Sequence, residues 1–153
     1  MTTTPVPINK ATPFQHRNLP RLLLQARESV MAHTRPGLRE QGLSDQQWRV
    51  LRVLGEHGVV ETGRVAREAF ILGPSLTGVL TRMERDGLVR RATDPRDQRK
   101  TVVAPTAKGK RAVARLSHTI EVHYDFMEKS LGKDRLTQLY ALLDAVIELE
   151  QPA

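Results

Sequence analysis

Along most of the chain, apolar residues recur every three or four positions, and Gly or Pro breaks each run. That spacing predicts helices joined by short turns. The first stripe runs Leu22, Leu23, Ala26, Val30, Met31. Asn18 is a good N-cap for it, and Pro20 fits only within a first turn. Pro36-Gly37 predicts an interruption, and Gly42 the end of the short stretch after it. Ser44-Asp45-Gln46-Gln47 is a capping box, flanked by Leu43 and Trp48 at the spacing of a hydrophobic staple. Leu51 and Leu54 continue that face, and Gly55 and Gly58 close it. A short helix, Thr62 to Ala69, turns Val65, Ala66 and Ala69 inward. After the turn Phe70-Ile71-Leu72-Gly73, a helix from Pro74 to Asp86 buries Leu76, Val79, Leu80 and Met83. Its other face carries Ser75, Thr77, Gly78, Thr81, Arg82 and Arg85.

Past Gly87 the chemistry becomes strand-like. Leu88–Ala92 and Thr101–Ala104 read as two short strands, joined by the charged turn Asp94-Pro95-Arg96-Asp97-Gln98-Arg99-Lys100. Thr106 can cap a long helix over about 107–130, with Val113, Leu116, Ile120, Tyr124 and Met127 on one face. Gly132 breaks it. A last helix over about 133–150 carries Leu136, Leu139, Leu143, Val146 and Ile147. The predicted fold is mainly α with a small β-ribbon. A winged helix-turn-helix spans 44–105, and helices at 14–42 and 106–150 form a dimerisation lobe within a single domain of 14–150. The Thr- and Pro-rich segment 1–13 reads as a flexible tail.

Charge sharpens this picture. The 153 residues hold 24 Lys and Arg against 17 Asp and Glu, a formal charge of +7 that favours an anionic partner. The absence of cysteine excludes disulfides and thiolate chemistry. No apolar run reaches the roughly 20 residues of a membrane span, and the N-terminus lacks a signal-peptide core, so a cytoplasmic protein with no membrane partner is expected.

Small hydroxyls and arginine on the outer face of the Pro74–Asp86 helix suit close entry into a major groove. Ser75, Thr77, Gly78, Thr81 and Arg82 are the candidate contacts there. Arg96, Arg99 and Lys100 on the turn suit phosphates or a minor groove, and Asp94 and Asp97 would brace that turn. The bland alternative is a solvated helix face and a solvated hairpin. Their order along a basic chain favours double-stranded DNA.

The motif Gly87-Leu88-Val89, then Asp94-Pro95-Arg96-Asp97-Gln98-Arg99, then Thr106 and Gly109, resembles the MarR family of bacterial transcription regulators. The likeness is tight from Leu43 to Gly109 and looser from about 14 to 148. Pro105 departs from it, standing where the family has Leu, and implies a stiffer strand-to-helix junction. Residues 16–28, 47–51 and 72–77 narrow the resemblance to regulators of homoprotocatechuate-degradation operons. The resemblance implies a homodimer on a palindromic operator, repressing aromatic-acid catabolism and released by a phenolic acid. It also implies a cleft between the winged helix and the dimerising helices. There Trp48 and Leu51 would form the wall, Arg17 or Arg21 would hold the carboxylate, and His16 a ring hydroxyl.

His118 and His123 are five apart, off a common helical ridge, and neither an HExxH nor a nucleophile–base set is visible. No enzyme, metal or cofactor is expected. A ligand-blind architectural protein and an interaction module for an acidic protein are the other classes the residues allow.

Overall fold

The computed structural model describes residues 13–150. The notional tail, 1–13, lies outside them apart from Pro13. Helix α1 (Leu19–Glu40) starts where Asn18 Oδ1 accepts from the Arg21 N–H at 3.1 Å. It does not break at Pro36-Gly37. The proline removes one backbone donor, but Glu28 and Arg35 clasp the preceding two turns at 2.7 and 2.9 Å, and buried Thr34 and Leu38 hold both sides. Gly37 instead lets α1 approach another helix closely, since a Cβ there would meet Leu116 at 3.3 Å.

The capping box forms in full at the start of α2 (Asp45–His57): Gln47 N–H donates to Ser44 Oγ, and Ser44 N–H to Gln47 Oε1, both at 3.1 Å. Leu43 and Trp48 are both buried beside it. Gly55 does not close this helix. A Cβ there would sit 3.3 Å from Val113, so this glycine too is a packing position, and Gly58 makes the stop at φ 75°. Strand β1 (Val60–Glu61), too short to show a period, pairs with β3. Helix α3 (Thr62–Ala69) ends at Phe70 in the left-handed region, φ 53°, and α4 (Gly73–Arg85) comes next. Leu76, Val79, Leu80 and Met83 are its buried face.

Strands β2 (Val89–Asp94) and β3 (Asp97–Pro105) are longer than the sequence suggested, so the turn between them is only Pro95-Arg96. All pairing is antiparallel in the order β1-β3-β2. Pro105 ends β3 opposite Val89, a place where its missing N–H breaks no interior ladder. Thr106 then caps α5 (Ala107–Leu131), accepting from Gly109 N–H at 3.1 Å. A Cβ at Gly109 would overlap the Leu88 carbonyl oxygen, so only glycine lets α5 press this closely on the strand entering the wing. Helix α6 (Lys133–Ile147) closes the described chain. The core gathers under the winged helix around Leu51, Leu54, Val65, Leu80, Met83 and Val103.

Candidate nucleic-acid interface and anion cleft

The apolar face of α4 fixes what its other face shows. Ser75, Thr77, Thr81 and Arg82 are exposed, and Gly78 is half-buried. Thr81 Oγ1 donates to the Thr77 carbonyl at 2.8 Å, which spends its proton on the helix and leaves the oxygen as an acceptor. Thr77 makes only a long bond, 3.4 Å, to the Gly73 carbonyl. No carboxylate pairs with Arg82 among the described residues.

Two residues that the periodicity did not single out join α4 to the wing. Arg91 on β2 donates its backbone N–H to Glu84 Oε2 at 2.9 Å and its guanidinium to Glu84 Oε1 at 3.2 Å. The same guanidinium reaches Thr81 Oγ1 at 3.3 Å. The backbone N–H first, and the guanidinium next, hold the Glu84 carboxyl below the usual carboxylate range. Seven residues separate Glu84 from Arg91 across the Gly87 turn, a spacing with no sequence signature.

At the wing tip, the side chains of Arg96 and Arg99 are each 90% exposed. Asp94 is buried and accepts from the Arg96 backbone N–H at 2.9 Å. Asp97 accepts from the Arg99 N–H and Nε, both at 3.1 Å, and from Nη2 at 3.2 Å. The Arg99 side chain and then its backbone N–H pull the Asp97 carboxyl downward. Lys100 turns away from the tip, 3.5 Å from Glu61 at the end of β1.

A second feature is a cleft of about 530 Å³ reached by α1, α2 and α3. Trp48 and Met31 give it an apolar wall, and Arg27, Arg49, Arg52 and Arg67 bring four guanidinium groups. Its carboxylates are occupied: Asp45 by Arg27, Glu56 by Arg52, Glu68 by Arg64. Arg67 has no such partner among the described residues. A surplus of cations beside an aromatic wall suits a flat anion.

Of the residues assigned to an effector from sequence, only Trp48 lines this cleft. Leu51 is fully buried in the core. His16, Arg17 and Arg21 border separate recesses at the start of α1. Arg27, the nearest cleft residue on α1, is six positions or about 9 Å of helix further on. Arg27, Arg49, Arg52 and Arg67 were missed. Arg52 had a signal, because the i, i+4 spacing sets it beside Trp48 on α2. His33 of α1 and His123 of α5 also meet, their rings stacked at 4.0 Å with Phe126 alongside. Burial, then His33, pushes the His123 pKa down, and its Nε2 is enclosed with no hydrogen-bond partner among the described residues.

Comparison with known proteins gives three concordant results. The MarR family model matches residues 41–100. The chain is 42% identical to the homoprotocatechuate degradative operon repressor of Escherichia coli over 88% of its length and 90% of that protein, and 37% identical to the HTH-type transcriptional regulator FarR of Neisseria gonorrhoeae over 91% and 95%. The crystal structure of NadR in complex with 4-hydroxyphenylacetate superposes with a TM-score of 0.82 at 37% identity, covering 92% of this chain and 99% of that one.

Proposed function

Because the chain belongs to the MarR family, we propose that it is a dimeric, sequence-specific DNA-binding repressor of an aromatic-acid catabolic operon, released by a phenolic acid. The carrying observation is the cationic, Trp48-walled cleft, which reaches Phe70 at the corner leading into α4. The kinship to the operon repressor and to a regulator bound to 4-hydroxyphenylacetate supports the ligand class. On this reading Ser75, Thr77, Thr81 and Arg82 face the major groove, and Arg96 and Arg99 face phosphates or the minor groove.

The dimer rests on apolar side chains that one chain leaves uncovered. Leu24 on α1, Phe126 on α5, and Leu142 and Ile147 on α6 are all more than half exposed. A second copy covers them and sets two α4 helices on one face of a palindrome. No helix among the described residues is long and apolar enough to cross a membrane.

The test is a footprint on DNA beside the gene, repeated with 4-hydroxyphenylacetate, homoprotocatechuate and related acids while Trp48 fluorescence is followed. A two-fold symmetric footprint that fades as fluorescence changes supports the reading. A footprint indifferent to every acid at millimolar concentration refutes the effector and leaves a ligand-blind DNA-binding protein.

A further inference from the structure

Three charged side chains join the cleft to the corner of the helix-turn-helix. Arg27 of α1 grips Asp45, the first residue of α2, through Nη2 at 3.0 and 3.2 Å. One turn on, Arg49 donates Nη1 to the carbonyls of Ala69 at 2.8 Å and Phe70 at 3.2 Å. Those carbonyls are the last of α3 and its cap, and Phe70 holds φ 53°, a conformation a bulky residue rarely adopts. The corner therefore depends on a side chain arriving from another helix. Arg49 Nε is enclosed with no hydrogen-bond partner among the described residues, yet stands only 3.8 Å from Asp45 Oδ2. That is too far for a hydrogen bond and close enough for a small rotation to make one. Side-chain exposure falls along the series, from 42% at Arg27 to 33% at Asp45 and 29% at Arg49, so a solute meets Arg27 first.

We infer that Arg27, Asp45 and Arg49 form a relay by which a carboxylate in the cleft moves the α3–α4 corner. The inference rests on reading this cleft as the effector site. A carboxylate that takes Arg27 frees Asp45, whose nearest other donor is Arg49 Nε. Closing that gap by about 0.8 Å draws the guanidinium off the two carbonyls, whose bonds already span the hydrogen-bonding range. The corner loses its brace, and the start of α4 shifts relative to the operator. No residue of the relay touches DNA; each acts through the next, as a positioning residue.

The experiment uses full-length Arg49→Gln and Asp45→Asn with the parent. Operator Kd is measured without acid and at saturating 4-hydroxyphenylacetate, together with Trp48 fluorescence and amide exchange over residues 69–75 without acid. For the parent, the ratio of the two Kd values should fall in the ordinary allosteric range of about 5–150. In both variants fluorescence still reports the acid, and the ratio drops to near 1. Exchange over 69–75 is fast in Arg49→Gln before acid is added and slow in Asp45→Asn, which keeps both carbonyl bonds. Should Arg49→Gln fail to fold, Asp45→Asn decides alone, since it removes the negative charge that pulls on Arg49 and spares the brace. Parent-like ratios in the folded variants overturn the relay and leave the effector reading intact. A parent showing neither fluorescence change nor altered Kd overturns both.

Discussion

The winged helix and the last helix share one kind of sequence pattern and bury it to opposite degrees. From Leu43 to Leu88 the large apolar side chains lie inside, save Val59, Phe70 and Leu72. On α6 only Leu136 does, while Leu139, Tyr140, Leu142, Val146 and Ile147 are exposed. Period 3.6 marks which face of a helix is apolar but not which chain covers it. The winged helix is complete in one copy. The outer helices carry half of a core.

Substitutions in the two regions should expose that difference. Met83→Ala empties a fully buried site in the winged helix and should cost about 2–5 kcal/mol of folding stability by denaturant titration. A loss below about 0.5 kcal/mol would deny that this lobe supplies its own core. Leu142→Glu with Ile147→Glu should leave the winged helix folded yet raise the dimer dissociation constant by well over tenfold, since each covered side chain is worth roughly 1.5–3 kcal/mol. Sedimentation at falling concentration reads this directly, and operator affinity should fall with the dimer. A double variant still dimeric at nanomolar concentration would place the seam elsewhere.

Within the winged helix, Arg82→Ala should cost about 1–3 kcal/mol at the base it reads and relax preference there. Arg96→Ala should weaken all sequences alike and lower the salt slope by about one. Identical changes in preference and slope would erase the division between α4 and wing. The smallest effect concerns the helical lobe. Burial, and then the neighbouring His33, lower the His123 pKa in the folded state, whereas the unfolded chain takes up this proton near the ordinary value of about 6.5. The stability this contributes is full above pH 6.5 and lost as pH falls through the lowered folded value. His123→Phe should therefore show a smaller drop in Tm from pH 7 to pH 5 than the parent. An unchanged drop would show that the enclosure is not kept in solution.

Legibility in the sequence divides along the same line. The capping box, the limits of α3 and the four buried positions of α4 are written in local spacing, and local spacing is all a sequence displays. Gly37 and Gly55 looked like stops because their reason, the flanks of Leu116 and Val113 on α5, lies far away in the chain. Leu51 looked like a cleft wall because periodicity gives a face, not a depth. Trp48 was legible as both staple and wall. The Arg27–Asp45–Arg49 series and the tie from Arg91 to Glu84 were not, because each joins elements whose meeting only the fold decides.

The crowding of Gly109 against Leu88 gives α5 a mechanical character. Its first turn is fastened to the root of the wing by that contact, by Thr106 N–H donating to the Leu88 carbonyl at 3.0 Å, and by Lys108 Nζ on the Asp86 carbonyl at 2.7 Å. From this fulcrum the helix runs 25 residues toward the uncovered apolar surfaces. At the helical rise it is a lever of about 37 Å, so a tilt of about 5° at the fulcrum displaces its far end by about 3 Å. A rigid arm of this kind passes a small angular change at the wing to the opposite end of the molecule as travel, and passes travel there back as angle.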